Sequence, residues 1–164
     1  MRTVFSILTI AMFSVAVHAQ QVQRIEISDP GIYKADITDT KEARGAIAGR
    51  TNLLSNIKID QSTTTIPAKL GISFGFKYNA VGTSNGTSVK LKMVTHYPSP
   101  GLREPKTGNI MMRDESYTER KLGASGYRFY TLEESWELVP GTWTFEVWEG
   151  DRKLATQSFT VIKP

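Results

Sequence analysis

The chain has no cysteine. Disulfides, thiol catalysis and thiolate zinc sites are excluded together. Histidine is nearly as scarce, with only His18 and His96. A Ser–His–acid system would have to use His96, in "THYPSP", yet no G-x-S-x-G pattern occurs. "GASGY" (123–127) reads as a small-residue turn, and His96, beside a proline-rich loop, as a surface residue. A transition-metal cage would have to lean on carboxylates or on Met111 and Met112. Adjacent residues of a strand point to opposite faces, so those two methionines cannot ligate jointly. The acids of "DITD" and "RDESYTE" lack the twelve-residue spacing of a calcium loop. No cofactor and no metal are expected.

Apolar runs are short. The run from Val4 to Val17 falls below the roughly 20 residues that a spanning helix needs. Arg2 precedes it and "VHA" follows, the order of a secretory signal peptide cut after Ala19. An uncleaved anchor is the alternative, and the lack of a following cysteine excludes a lipid-modified N-terminus. Residues 20–164 are therefore expected to be one domain, periplasmic or secreted, with no membrane span after removal of residues 1–19. The formal charge of +4 includes Arg2. The cations lie in scattered pairs (Lys90 and Lys92, Arg103 and Lys106, Arg120 and Lys121, Arg152 and Lys153), each near an acid or a turn. No basic stripe appears along the chain, and no nucleic-acid partner is expected. Weak attraction to an anionic surface such as envelope lipid is the other reading of the positive balance.

Convincing helical periodicity and internal repeats are absent; period-two alternation is present. "RIEI" (24–27) reads as a short strand stopped by "SDPG", and "IYKADI" resumes it. Residues Thr38 to Asn56 are glycine-interrupted and read as an irregular insertion with ragged pairing. "IKIDQSTTTIPA" is a strand broken at Pro67. In "KLGISFGFKYNAVG", Ile72, Phe74, Phe76 and Tyr78 share one face, with glycines between them. In "SVKLKMVTHY", Val89, Leu91 and Met93 point inward while Lys90 and Lys92 point outward. The Asn85-Gly86 pair between them fits a two-residue hairpin that sets Tyr78 against Met93. A crossover between two sheets uses the same sequence. "MMRDESYTERKL" is a polar edge strand whose charges discourage edge-to-edge pairing. "GYRFYTLEESWEL" adds a strand with Tyr127, Phe129 and Thr131 on one face.

The most regular segment is "ELVPGTWTFEVWEGDRKLATQSFTV", with two of the three tryptophans. It is a terminal hairpin. A two-residue turn at Gly150-Asp151 sets Trp143 against Ser158; a three-residue loop with a bulge sets Trp143 against Phe159 and Val147 against Ala155. The second register buries more apolar surface, and a slip of one residue would invert the face. In that register Trp148 faces outward with Leu154 across from it. Leu138, Pro140-Gly141 and the aromatic at 143 resemble the corner before the penultimate strand of immunoglobulin-like sandwiches. The expected fold is an all-β, immunoglobulin/fibronectin-like antiparallel β-sandwich of about seven strands. About 145 residues bury roughly 70% of their unfolded surface, enough to stand without crosslinks.

The stretches "TTTIPAKLGISFGFKYN", "YPSPGLREPKTG" and above all "SWELVPGTWTFEVWEGDRKLATQSFTV" resemble the exported bacterial proteins of domain-of-unknown-function family 3859. The resemblance covers nearly the whole chain after the leader. It implies a sandwich-like domain behind a signal peptide, and it implies no reaction and no site residues.

The function these features favour is non-enzymatic binding of a protein or envelope component through loops on a rigid scaffold. The candidate contact residues are Trp148, Leu154, Tyr97, Pro98, Pro100 and Arg103, from the outward tryptophan face and the Pro98–Asn109 loop. A carbohydrate-binding module stacking sugars on Trp148, Tyr97, Tyr117 or Tyr130 is the alternative. A hydrolase on paired carboxylates from Glu133, Glu134 and Glu137 is a third reading.

Overall fold

The two rows that alternate most cleanly face each other across one core. Phe74, Phe76 and Tyr78 are buried, as are Val89, Leu91 and Met93. The computed structural model describes residues 21–42 and 50–164, and among these it has eleven strands. They are β1 (Val22–Glu42), β2 (Arg50–Ser62), β3 (Thr65–Pro67), β4 (Ser73–Gly82), β5 (Ser88–His96), β6 (Leu102–Arg103), β7 (Ile110–Met111), β8 (Arg113–Lys121), β9 (Ser125–Thr131), β10 (Gly141–Glu149) and β11 (Arg152–Ile162). A four-stranded sheet in the order β2-β1-β4-β9 packs on a five-stranded sheet, β3-β11-β10-β5-β8, and β6 and β7 pair separately. The fold is an all-β sandwich, with nine strands in its two layers where about seven were expected. Pairing is antiparallel except where the short β3 runs parallel to β11.

The core is aromatic. Phe74 meets Trp143, Phe145 and Phe159 edge to face at centroid separations of 5.7, 5.7 and 5.4 Å. Such contacts add about 0.5–1.5 kcal/mol per pair beyond area burial. Trp143 also anchors the corner, since its indole N–H donates to the Val139 carbonyl at 3.1 Å. Gly141, two residues before it, has φ +132, and a Cβ there would lie 2.6 Å from Pro98 Cβ. Only glycine fits that bend.

Asn85-Gly86 joins strands of different sheets: β4 pairs with β1 and β9, and β5 with β10 and β8. It is a crossover. In the terminal hairpin Trp143 opposes Phe159 and Val147 opposes Ala155, the register that buries most apolar surface. The extra residue, however, sits inside the strand. The loop holds only Gly150 and Asp151, and the shift falls between Val147/Ala155 and Trp148/Lys153, leaving Leu154 unopposed as a bulge.

Two expectations for the first half change. "SDPG" does not stop a strand: β1 runs through it, and three steps along β1 (Ser28 to Gly31) answer two along β4 (Lys77 to Gly75). The extra residue is absorbed with Asp29 at φ +53, and the Tyr33 hydroxyl donates to the Asp29 carbonyl. Residues 38–42 and 50–56 do carry the ragged pairing expected of them, but as the ends of two long strands. β1 and β2 pair from Gly31/Ser62 to Glu42/Arg50, with three register shifts. Pairing with β4 ends at Tyr33/Ser73, so β1 and β2 continue as a two-stranded arm. Backbone hydrogen bonds can build such an arm without apolar alternation, which is why the pattern hid it. The intervening residues 43–49 lie outside the described residues.

The start of β1 is fastened to the far end of the chain. Glu149 Oε1 accepts the backbone N–H groups of Gln21 and Val22 at 3.1 and 3.0 Å. Arg152 donates to the Val22 carbonyl and pairs with Glu149 at 2.6 Å.

Candidate functional site

Strands β8, β5, β10 and β11 present one row of side chains on the outer face of the five-stranded sheet. Lys92 opposes Tyr117 on one side and Trp148 on the other, and Trp148 opposes Lys153. The Lys92 ammonium lies 4.9 Å from the Trp148 ring centroid and that of Lys153 lies 5.7 Å away. One step along, the Lys90 ammonium sits 4.6 Å over Tyr117. Tyr117 is 61% exposed, the most open of the large hydrophobic side chains among the described residues.

Glu146 fixes the row from below. It is buried, and its carboxylate accepts from Trp148 Nε1 at 2.9 Å, Lys153 Nζ at 3.0 Å and His96 Nε2 at 3.1 Å. Burial acts to raise its pKa, but the hydrogen bonds from Lys153, His96 and Trp148 outweigh it and hold the group below its ordinary value. The indole plane of Trp148 and the stem of Lys153 are thereby oriented. Lys90 and Lys92 have no carboxylate within 4 Å among the described residues, and their contacts are the aromatic rings.

The residues expected at a contact surface separate into three groups. Trp148 faces outward, half-buried beneath lysines and not beneath the arm, which extends the other sheet. Leu154 does not flank it: as the bulged residue it packs against the core, and Lys153 takes its place. Tyr97 is core as well, at 4% exposure with its ring 5.1 Å from Trp143. Pro98 is buried against Gly141. Pro100 and Arg103 are exposed on a loop that closes on itself. Leu102 within that loop is fully buried, Arg103 donates to the Gly108 carbonyl at 3.1 Å, and Glu104 accepts the N–H groups of Lys106 and Thr107.

The three glutamates of the corner do not form a solvated acid pair. Glu137 is 2% exposed and accepts from the Tyr130 hydroxyl at 2.7 Å and from the N–H groups of Glu133 and Glu134 at 2.6 and 2.9 Å. Its carboxylate is occupied in holding the turn. Tyr130 also packs in the core, 4.8 Å from Trp143. Burial, then the neighbouring Tyr97 and Glu137, pushes its hydroxyl far above the ordinary range. Tyr97 and Tyr130 are thus unavailable for stacking. The remaining polar interior is Arg128, which donates to Thr95 Oγ1 and lies 3.6 Å from Asp114. Among the described residues no three His, Asp or Glu side chains converge as a metal cage would require.

Sequence reading placed Lys90 and Lys92 outward but separated them from Lys153 and omitted Tyr117 from the contact list. The signal was available in "KLKM" and "WEGDRK"; only the register of β5 on β10 joins them.

The profile of the DUF3859 domain of unknown function matches residues 21–161. The chain belongs to this family. The DUF3859 chain is similar in fold to an immunoglobulin-like protein from Pseudomonas aeruginosa, with a TM-score of 0.58 and 26% identity over 84% of this chain and 96% of that one. A second overlap, with the alkylpurine DNA glycosylase AlkC of Pseudomonas fluorescens, has a TM-score of 0.37 at 12% identity, covers 82% of this chain and 30% of the glycosylase, and lends nothing to its reading. No curated protein matches the DUF3859 chain. Its fold is an immunoglobulin-like β-sandwich, and among the described residues no helix is long and apolar enough to cross a membrane.

Proposed function

We propose that this DUF3859 domain is an exported, non-enzymatic binding module that meets a protein or envelope component through the outer face of its five-stranded sheet. The observation that carries the reading is the row Tyr117–Lys92–Trp148–Lys153, in which cations and rings stay accessible on a face of paired strands. Export is supported by Arg2, the apolar run to Val17 and the "VHA" that follows. The absence of a role in catalysis is supported by the fate of the acids: Glu137 and Glu146 each satisfy three donors and have little left for a substrate. The Pro98–Asn109 loop contributes at most its exposed Pro100 and Arg103.

The test is capture from the native envelope by residues 20–164, crosslinked in place, beside the Lys92→Glu and Tyr117→Ala variants. Both substitutions alter exposed or half-exposed side chains, so folding should survive. Capture by the parent and its loss in both variants is the expected result. Capture that persists unchanged in both variants would sink the assignment of this face.

A further inference from the structure

We infer that the lysine–aromatic face takes an acidic polysaccharide, laid across the strands from β8 toward β11. This rests on the reading of that face as the contact surface. Three features select the ligand. Lys90 and Lys92 are held over rings at 4.6 and 4.9 Å and neither has a carboxylate within 4 Å among the described residues; Glu119 opposes Lys90 across the strands, so Lys92 above all has positive charge to offer an anion. Tyr117 and Trp148 stand two strand spacings apart, about 10 Å, on either side of Lys92. Ring, cation and ring therefore alternate along one line, with Lys153 beyond them bonded to Glu146 at 3.0 Å, an order that matches a stiff sugar chain bearing acid groups. Two rows farther along the same face, beyond Glu146 and Thr156, Thr144 and Ser158 supply hydroxyls that share a 3.0 Å hydrogen bond.

Other anions fit less well. A membrane surface calls for apolar side chains that can enter it, whereas Trp148 is half-buried with its indole N–H tied to Glu146. Exposed Ile110 and Met112 lie outside the row. A nucleic acid favours arginine, and the arginine on this face, Arg113, is paired with Glu115 at 3.2 Å. A neutral sugar would have to displace the ammonium groups from the rings it stacks on.

Binding of residues 20–164 to polygalacturonate, to neutral dextran and to phosphatidylglycerol vesicles, measured by calorimetry at two salt concentrations, decides the matter. Polygalacturonate should bind, more weakly at high salt, with dextran and vesicles far behind. Lys90→Ala with Lys92→Ala should weaken it about tenfold, the scale of one lost charge-assisted contact. Arg24→Ala, on the other sheet, should leave it unchanged. A preference for vesicles or dextran, or polygalacturonate binding that ignores the double lysine change, overturns the inference. Envelope capture that requires Lys92 and Tyr117 while polygalacturonate fails to bind overturns the glycan and leaves the binding module standing.

Discussion

Both outer faces of the sandwich carry aromatic rings, and they use them in opposite ways. On the four-stranded sheet Tyr33, Tyr127 and Phe129 close over the sheet: Tyr33 lies 4.5 Å from Phe129, and Tyr127 stacks on Phe129 at 5.4 Å. Phe129 covers Gly75, where even a Cβ would come within 2.7 Å of its ring and 1.9 Å of the Arg128 carbonyl. Tyr33 is left 5% exposed, its hydroxyl pushed up to about 12 by burial and by Asp29. On the five-stranded sheet the rings meet lysines and Tyr117 stays open. An aromatic on an outer face therefore does not announce a binding surface. Its neighbours decide: glycine beneath and rings beside it make a second small core, whereas lysines over it leave the ring at the surface, where we propose a ligand binds.

Truncation breaks the comparison most directly. Tyr33→Ala should cost about 3 kcal/mol in denaturant unfolding, as for any buried aromatic, although the residue stands outside the main core. A loss below about 1 kcal/mol would mean that the glycine-backed cluster is decoration. Glu146→Gln tests the support of the other face and should cost about 1–2 kcal/mol at neutral pH, since a carboxylate serving three donors is weakened. The sign with pH follows from its depressed pKa. The native glutamate contributes above 4.5, the ordinary value, and loses that contribution as pH falls through the lower folded value. Melting curves of the two proteins should therefore converge in acid; a gap that widens there would contradict the hydrogen-bonded carboxylate. The smallest effect belongs to Tyr117→Ala, under about 0.5 kcal/mol because the ring is open and its one cation contact weak.

Period-two alternation made the core legible. Phe74, Phe76, Val89, Leu91, Trp143 and Phe159 all read as inward and are buried, and the hairpin register followed from which pairing hid most apolar surface. What failed did so at bulges. One extra residue near Asp29 let β1 run through a turn signal, and one at Leu154 moved Trp148 from a leucine partner to a lysine. Local composition cannot say where a strand absorbs an extra residue, because the partner strand sets the count. Tyr97 was misread for a related reason: proline-rich flanks suggested a loop, while the side chain turned back onto Trp143. The proposed binding face was legible only by halves, because Lys92, Tyr117 and Trp148 belong to three strands.

The fastening of Gln21 and Val22 by Glu149 spans 128 and 127 residues, and that of Val22 by Arg152 spans 130. Its consequence is one of order in time. A chain that emerges from its N-terminus first cannot give β1 its end-cap until the final hairpin has emerged, and contacts of such long range are slow to form. Every fragment that ends before Glu149 leaves the first strand's leading amides without this partner. The domain closes only with its last hairpin.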